Sequence, residues 1–518
     1  MPRRRYMTIF TLPKRDTLAD PSWNAPPPGA IDNRYHRTRH TAMKQTPFRR
    51  LPYFIVLVLI TAVVCGCAGK ERLYYAAPTL LPGTDRAMKT DGYWAGRHPF
   101  PDRIILDRQG IADLNRQIRD ELGLTRDIVR IESPVPGKRV RDRARKMLDS
   151  CAGRTLYRAD GTAAGPEFYA ALADLMDLDA IPSDIPVRWG LIVRYTDQRS
   201  LPTAAPLYAK QHDRDFDRLQ NSALDIGTPV AVTHATTDGQ WYYVIDQLSG
   251  GWIPAEAVAL CSLEEMRRFA EAEPFAVVTR AKGALFRDAG LREYHDYARM
   301  GTRLPLAGME GGVAGVLLPV RDDDGTLSEQ TGYMRSEDIH EGFLSYTPRA
   351  IIRQAFELLN APYGWGGMYG EQDCSRFVQE VFATVGISLP RNSSKQARAG
   401  ELIGEYPDGA GNGEKLDAFS KQAIGGCTLL YMQGHIMLFL GMVDGVPYAI
   451  HSTWGYRDPA PWKERIRVIN RVAVTNMSLG EGSKRGSYLD RLRSIRVLAP
   501  SRTGEGTGGS KPGVPVGS

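Results

Sequence analysis

Three apolar stripes with a period near 3.6 residues run through residues 96–185 and predict helices there. They are formed by Ile111, Leu114, Ile118 and Leu122, by Val140, Ala144 and Leu148, and by Phe168, Leu172, Leu175 and Met176. We expect a small helical segment that packs onto other domains. Residues 68–95, which precede it, contain Pro78, Pro82 and several glycines, and this composition predicts a tether.

The hydrophobic pattern changes after residue 185 to short apolar runs of strand length, bounded by turn residues. Residues 186–265 contain an Asp238-Gly239 hairpin signal, and a Gly-Trp-Ile run closes the set. Residues 266–345 carry a second set of such runs, with a turn at Asp322–Gly325. Both sets are similar to bacterial SH3-like barrels, and a pair of inert β-spacers is the alternative interpretation.

Residues 346–498 combine both patterns, with helical stripes first and strand-like runs from Cys427 onwards. Residues 499–518 are rich in Gly, Pro and Ser and predict a disordered tail. The chain as a whole is therefore expected to be an α+β protein of several domains. In this interpretation a small helical segment and two β-barrels precede a mixed C-terminal module.

An apolar run of eleven residues, Phe54–Val64, lies near the N-terminus behind three basic residues. The run is too short to span a bilayer, which takes about 20 residues, and it has the length of a signal-peptide core. It ends in Val-Cys-Gly-Cys, which resembles a bacterial lipobox and implies lipidation of Cys67. We therefore predict a lipoprotein signal over residues 43–67, with a plain secretory signal or a membrane anchor as the alternative.

Residues 1–42 precede this complete signal, and Met43 stands at its start. Because signals normally begin at the start methionine, we infer that translation begins at Met43. Residues 1–42 are then untranslated or disordered. The product is expected in the bacterial cell envelope, on the periplasmic side and attached through lipid to a membrane, the outer membrane being our choice.

The formal net charge of +7 comes from the N-terminal end rather than from a folded surface. The first fifty residues contain eleven Lys and Arg against three Asp and Glu, whereas the rest of the chain has 55 against 56. A body without net charge gives no support for nucleic-acid binding. Six cysteines in so long a chain do not indicate a disulfide framework, and Cys151, Cys261 and Cys427 are expected to be buried thiols.

Cys374 gives the strongest chemical signal, because it stands at the start of an apolar helical stripe and follows a glycine-rich stretch, 362–367. A cysteine at a helix N-terminus meets free backbone N–H groups and the positive end of the helix dipole. A free thiol has a pKa of about 8.5, and such a place together with an imidazolium lowers it by one to several units. Cys374 is therefore predicted to be a nucleophile whose own N–H is the first oxyanion donor.

Two histidines, His435 and His451, bracket a predicted hairpin whose turn is Asp444-Gly445. Pairing of the two strands brings both imidazoles to the open end of the hairpin. One imidazole can take the thiol proton and return it to the leaving amine, while the other fixes its tautomer. We assign the first role to His435 and the second to His451. A satisfied histidine at a strand end is the alternative for each of them taken singly.

A metal site is the alternative for the same residues. One cysteine and two histidines could ligate zinc, but the sequence offers no fourth ligand at a suitable spacing. The lone thiol at a helix start fits nucleophilic attack better. We therefore predict neither a metal nor a cofactor.

Residues 346–498 carry a series of short motifs in a fixed order: Pro362–Gly367, Asp373-Cys374-Ser375, Phe377-Val378, Gly386-Ile387, Leu389–Ser393, Gln396, Gly434-His435, Leu440-Gly441 and Ile450-His451. With these motifs the segment resembles the NlpC-type cell-wall cysteine peptidases, a bacterial branch of the papain-like enzymes. The helical segment and the two SH3-like barrels upstream also look like the multidomain members of that family. In those members the barrels wall the active-site cleft.

The resemblance implies hydrolysis of peptidoglycan stem peptides at the bond between γ-D-glutamyl and the diamino acid, in peptides with a free N-terminal L-Ala. It also implies that Asp373 and Ser375 bind the free amine and shape its subsite, and that Tyr363 and Ser393 line the cleft. A helix N-cap is the alternative role for Asp373, and core packing is the alternative for Tyr363.

Departures from the family pattern bear on the cleft. Arg376 stands where a glycine commonly follows Asp-Cys-Ser, and on the helix it would narrow or charge the cleft rim. Cys427-Thr428 stands where relatives usually show Gly-Asp. Some relatives hold the substrate amine with a tyrosine and an acid from the first barrel. Here Ser249 stands near the tyrosine's place and Gln220 near that of the acid, so Gln220 is the barrel's substrate-binding candidate.

The sequence as a whole predicts a lipid-anchored, monomeric cysteine endopeptidase whose partners are stem peptides and the membrane. Intact wall and free muropeptides both remain open as substrates. A papain-like acyltransferase or amidase is the alternative enzyme, although such relatives often rearrange the order of the cysteine and histidine segments. A non-catalytic cell-wall-binding lipoprotein is the other alternative, although it would be expected to lack a catalytic residue.

Overall fold

The computed structural model describes residues 73–75, 80–459 and 464–499 of the chain. The expectations for residues 1–42, for the signal over 43–67 with Cys67, and for the tail from residue 500 onwards lie outside these described residues. Among the helices of the described ranges, none combines the length and the apolar character that crossing a bilayer requires.

The N-terminal part of the described chain is mainly helical and is packed onto the C-terminal module. Its elements are β1 (Leu73–Tyr75), α1 (Asp91–Arg97), α2 (Arg108–Arg116), β2 (Val135–Pro136), α3 (Gly137–Ala152), α4 (Pro166–Met176) and β3 (Asp184–Ile185). β1 pairs in parallel with a strand of the C-terminal sheet, and Trp94 of α1, 2% exposed, lies in the core of the same module. The tether predicted over residues 68–95 is therefore wrong where the structure describes it, because apolar residues there are buried rather than solvated.

Helices α3 and α4 bury their apolar stripes against the first barrel. Val140, Ala144 and Leu148 of α3 are all buried, and they share a core cluster with Trp252 of that barrel. Burial of one apolar face is what the helical period of the sequence requires. The helical segment is thus held between the first barrel on one side and the C-terminal module on the other.

The first barrel is a seven-stranded sheet. Its strands are β4 (Arg188–Ile192), β5 (Thr196–Arg199), β6 (Gln220–Leu224), β7 (Pro229–Ala235), β8 (Trp241–Ile245), β9 (Gly250–Pro254) and β10 (Val258–Cys261), in the order β10-β4-β7-β8-β9-β5-β6. Strands β7 and β8 pair as the predicted hairpin, with Gly239 at a positive φ of 69° in its turn. The connection between β5 and β6, residues 200–219, is long and contacts the C-terminal module.

The second barrel follows the helix α5 (Leu263–Ala270), whose first turn is closed by a capping box between Ser262 and Glu265. Its strands are β11 (Phe275–Val278), β12 (Lys282–Phe286), β13 (Tyr294–Arg299), β14 (Arg303–Glu310), β15 (Val313–Arg321), β16 (Leu327–Arg335) and β17 (Ile339–Glu341), in the order β13-β12-β16-β15-β14-β11-β17. The two barrels share one hydrophobic cluster, so they pack directly against each other.

The C-terminal module packs helices on both faces of one sheet. Its elements are α6 (Pro348–Glu357), α7 (Cys374–Ala383), α8 (Ser393–Gln396), β18 (Glu401–Glu405), α9 (Asn412–Lys421), β19 (Thr428–Met432), β20 (His435–Val443), β21 (Val446–Asp458), β22 (Arg465–Asn476) and β23 (Leu492–Val497). The sheet order is β1-β22-β21-β20-β19-β23-β18. Helix α7 buries its apolar stripe on one face, and α9 contributes to the core on the other. The predicted α+β class is confirmed.

Candidate active site

Cys374 is the first residue of α7, as the apolar stripe predicted, and Asp373 caps that helix. The cap is a hydrogen bond of 2.8 Å from the Arg376 N–H to the Asp373 carboxylate. Cys374 is 7% exposed, and its sulfur accepts hydrogen bonds from the N–H groups of Ser375 and Ile436. The N–H of Cys374 itself is at a helix position without an intrahelical acceptor, so it can serve a developing oxyanion.

The two histidines meet at the end of the β20–β21 hairpin. Nε2 of His435 lies 2.6 Å from Nδ1 of His451, and Nε2 of His451 lies 2.9 Å from Oγ1 of Thr475. If both imidazoles donate through Nε2, the second ring nitrogen of His435 is left as an acceptor. Ile436, whose N–H reaches the thiol, directly follows His435, so the start of β20, which carries His435, lies at the nucleophile. Thr475 was not found from the sequence.

Burial decides the protonation of this site. It raises the pKa of the Cys374 thiol to about 12, with a further contribution from the Asp373 charge. Burial also lowers the pKa of His435 to about 3, and the positive charge of Arg491 adds to the effect. We expected the helix start to lower the pKa of this thiol, and that expectation is wrong. Burial raises the pKa by more than the N–H groups of Ser375 and Ile436 lower it. At neutral pH the pair is a thiol and a neutral imidazole, and the proton must move during attack.

The Asp373 carboxylate forms an ion pair with Arg391. Arg391 donates to both of its oxygens, at 3.2 and 2.7 Å, and the Ser375 hydroxyl and the Gly366 N–H donate to it as well. Burial opposes ionisation of Asp373, but Arg391 outweighs it and keeps the pKa of the carboxyl below its ordinary value. The N-cap role of Asp373 is confirmed, and its role toward a substrate amine stays a prediction.

Comparisons with known proteins agree with this geometry. A sequence model of the NlpC/P60 family matches residues 360–456, and one of an SH3 domain of the SH3b1 type matches residues 206–254. The chain carries an NlpC/P60 domain. That domain contains Cys374, His435 and His451, and the SH3b domain lies in the first barrel. The resemblance stated from the sequence motifs is confirmed for these two domains.

Curated relatives match only part of the chain. It is 31% identical over 164 residues to a γ-D-glutamyl-L-lysine dipeptidyl-peptidase of Bacillus cereus, covering 30% of this chain and 44% of that protein. It is 40% identical over 58 residues to a protein of the same name from Bacillus subtilis, covering 11% and 20%. The chain thus spans less than half the length of either relative.

A solved structure covers more of the chain. The NlpC/P60 endopeptidase from Photobacterium damselae subsp. piscicida has a TM-score of 0.66 at 20% identity, and covers 83% of this chain and 100% of that chain. At this identity the similarity shows a shared fold.

A loop of the SH3b domain closes one side of the NlpC/P60 site. The ring of Phe216 lies 5.4 Å from those of Trp365 and Trp454 and 6.4 Å from that of Tyr363, centroid to centroid. Beside it, the Asp215 carboxylate accepts a hydrogen bond of 2.8 Å from Nε1 of Trp454. Neither Asp215 nor Phe216 stands out in the sequence, and Trp454 carries a weak signal because it lies three residues after His451.

The other predicted site residues fall in different places. Tyr363 is half-buried and lies near the nucleophile. Burial raises the pKa of its hydroxyl, and the charge that Cys374 carries as a thiolate raises it further. Ser393 is the half-buried first residue of α8. Gln220 is buried in the SH3b domain against Gly366, where an added Cβ would come within 2.6 Å of it.

Gln220 is fully engaged where it lies. Its amide nitrogen donates to Asp197 at 2.8 Å, and its oxygen accepts from Arg199 at 2.8 Å. These bonds lie inside the barrel and its contact with Gly366, which corrects the assignment of Gln220 as a substrate-binding residue. Burial explains the error, because sequence position does not tell which way a strand residue faces relative to another domain.

Arg376 does not reach the cleft rim. Its guanidinium bonds to Asp225 of the SH3b domain and, at 2.8 Å, to Glu380 one turn along α7. Asp225 also receives a bidentate pair of bonds, 2.7 and 2.9 Å long, from Arg299 of the second barrel. The predicted effect of Arg376 on the cleft is therefore wrong. The residue instead joins the helix that carries Cys374 to both barrels.

The described residues contain no cluster of side chains that could ligate a metal ion. Within the residues that the structure describes, no group of three or more His, Cys, Asp and Glu side chains has the arrangement of a metal site. The four described cysteines carry free thiols, and Cys151 and Cys427 are buried while Cys261 is half-buried. Burial raises the pKa of the Cys427 thiol to about 12. These thiols lie outside the described catalytic cluster.

Proposed function

We propose that this protein is a cysteine peptidase that hydrolyses the bond between γ-D-glutamyl and the diamino acid of peptidoglycan stem peptides. The observation that carries the proposal is the placement of the Cys374 thiol at the start of a buried helix. The thiol accepts from the N–H of Ile436, the residue after His435, and His435 forms a histidine pair joined at 2.6 Å. The Bacillus relatives are named γ-D-glutamyl-L-lysine dipeptidyl-peptidases, which supports this choice of bond.

The reaction follows from the protonation of the site. His435 accepts the thiol proton as the Cys374 sulfur attacks the γ-carbonyl carbon, and the Cys374 N–H stabilises the oxyanion. The imidazolium then gives the proton to the leaving amine of the diamino acid, which leaves a thioester on the enzyme. His435 next takes a proton from water as the hydroxide attacks the thioester carbon. The C–S bond then breaks, the γ-D-glutamyl acid is released, and the proton on His435 returns to the sulfur. His451 holds the ring of His435 throughout, since the two are hydrogen-bonded.

The acyl side of the substrate is proposed to end in a free L-Ala amine. The SH3b loop with Phe216 packs against the aromatic residues around the nucleophile, which favours a short acyl peptide over a long one. Asp215 offers a half-buried carboxylate there, of which one oxygen already accepts from Trp454. We assign the substrate ammonium to this carboxylate, in the role that a barrel acid has in the resembled family. Asp373 remains a second candidate for the same ammonium.

The cell location is a proposal that rests on the sequence. The Phe54–Val64 run and the lipobox-like ending support an anchor at Cys67 in the periplasm, with the enzyme monomeric on the membrane. Stem peptides are then the substrate partner, and no nucleic-acid partner is proposed because the chain beyond its first fifty residues is nearly neutral.

Digestion of defined peptides tests the proposed function. L-Ala-γ-D-Glu-L-Lys and its diaminopimelate counterpart are incubated with the enzyme, and mass spectrometry identifies the products. Release of the free diamino acid and L-Ala-γ-D-Glu is the expected result, with Cys374→Ala as the matched control. Cleavage at another bond, or release that persists in the control, would contradict the proposal.

A further inference from the structure

Arg491 lies at the same end of the catalytic sheet as His435. Leu492, the first residue of β23, pairs with Met432, and Met432 pairs on its other side with His435. Arg491 directly precedes Leu492 in the chain. The backbone register therefore puts Arg491 at the sheet end that carries the histidine pair.

The ring of Tyr488 connects Arg491 to the two histidines. The Arg491 guanidinium carbon lies 5.9 Å from the centroid of this ring. The same ring lies 6.4 Å from that of His435 and 5.6 Å from that of His451. The positive charge is close enough to His435 to contribute to the lowered pKa of that imidazole. Arg491 and the two histidines thus lie around the same aromatic ring.

Arg491 is half-buried, yet among the described residues it has no carboxylate within ion-pair distance and its guanidinium donates no hydrogen bond. Its neighbours differ: Arg493 pairs with Asp408, and the Asp490 carboxylate is engaged by Ser487 and Asn412. Burial lowers the pKa of Arg491, which reflects the cost of holding the charge in this place. A half-buried guanidinium without an anion is a site that an anionic ligand would complete.

The ligand's position follows from the proposed chemistry. His435 must donate its proton to the leaving amine, so the diamino acid lies on the histidine side of the scissile bond. Arg491 is on that side. We propose that Arg491 binds a carboxylate of the leaving diamino acid and thereby selects the substrate. This inference rests on the proposed function, because it names a determinant of the same cleft.

Two carboxylates of the substrate have the required chemistry. One is the C-terminal α-carboxylate of a tripeptide, and the other is the side-chain carboxylate of a diaminopimelate residue whose α-carboxylate is blocked by D-Ala. Two matched pairs of peptides separate them. The first pair is L-Ala-γ-D-Glu-L-Lys with a free or an amidated C-terminus. The second pair is L-Ala-γ-D-Glu-diaminopimelyl-D-Ala with a free or an amidated side-chain carboxylate.

The measurement is kcat/KM for the four peptides with the wild-type enzyme and with Arg491→Gln. In at least one pair the wild type should prefer the free carboxylate by about 10- to 100-fold, the worth of one charge-assisted hydrogen bond. In Arg491→Gln that ratio should fall to near one. Arg491→Lys keeps the charge but not the planar guanidinium, so it should retain part of the preference. It also provides a test of the inference if the glutamine variant fails to fold.

Arg493→Gln is the matched control, because it removes a guanidinium that is paired with Asp408 two residues away. It should leave both ratios unchanged. Wild-type ratios of one in both pairs would overturn the inference. So would an Arg491→Gln variant that loses the same factor on all four peptides, since the residue would then act only through His435. If the wild type cleaved none of the peptides, the proposed function itself would fall.

Discussion

The ion network between α7 and the two barrels gives a prediction that can be worked out in magnitude. Asp225 accepts bonds from Arg299 and Arg376, and Glu380 lies beside both guanidinium groups. Two positive and two negative groups therefore balance inside the protein. Asp225→Asn keeps the shape of the side chain and removes one charge, so it leaves two guanidinium groups with a single carboxylate.

The cost follows from burial. The side-chain exposures in this network are 0% for Arg299, 9% for Asp225, 11% for Arg376 and 2% for Glu380, so solvent screens the charges little. Removing one partner of a buried pair costs about 3–5 kcal/mol because the other charge stays behind without compensation. The asparagine oxygen can still accept one hydrogen bond, which places our expectation for Asp225→Asn at the low end, about 3 kcal/mol.

Equilibrium unfolding in urea at pH 7, followed by tryptophan fluorescence, measures this loss. Asp179→Asn is the control, since it breaks a surface pair with Arg145 whose side chains are 88% and 46% exposed, and it should cost about 0–1 kcal/mol. Adding Arg376→Gln to Asp225→Asn should cost less than the sum of the two single changes, because the pair is then removed together. Stability of Asp225→Asn equal to that of the control would refute the reasoning.

The same variant predicts a pH effect of definite sign. Burial alone would raise the pKa of Asp225, but Arg299 and Arg376 outweigh it and hold the pKa below its ordinary value. A depressed pKa adds stability above the unfolded-state value of about 3.9, and that stability is lost as the pH falls through the folded-state pKa. The wild type should therefore lose its advantage over Asp225→Asn only below about pH 4.

Four further predictions concern the site and the chain start. Cys374→Ala and His435→Ala should each abolish turnover with unchanged circular dichroism, whereas His451→Ala should retain partial activity, and the reverse order of the histidines would exchange their roles. Because the pKa of His435 is lowered to about 3, kcat/KM should show no histidine ionisation between pH 5 and 7, which a pH–rate profile checks. Acetylating the L-Ala amine should lower kcat/KM by about 10- to 100-fold, and Asp215→Asn should abolish that preference; equal rates for both peptides in the wild type would indicate an open cleft. Intact mass of membrane-extracted protein should give an acylated chain beginning at Cys67, and a species that retains earlier residues would argue against the anchor.

Local spacing in the sequence determined the parts of the site that lie within one element or one hairpin. The helical stripe after Cys374 placed this residue at a helix start, because side chains three and four positions apart share a face. The Asp444-Gly445 turn placed both histidines at one end of a strand pair, because strands joined by a short turn have little freedom of register. The α+β class follows from the same two periods.

Tertiary structure alone decided what those residues meet. Arg376 and Asp225 are 151 positions apart, and no periodicity links them before the barrels pack against α7. The segment predicted as a tether is partly buried. Its strand β1 pairs with the edge of the C-terminal sheet, and its residues Met88 and Trp94 pack in the core of the same module. Gln220, predicted to bind substrate, is buried inside the contact with Gly366, whereas Phe216, which carries no signal in the sequence, lies against Tyr363, Trp365 and Trp454. The thiol pKa shows the physical reason: burial depends on every neighbour in space, and the sequence displays only the neighbours along the chain.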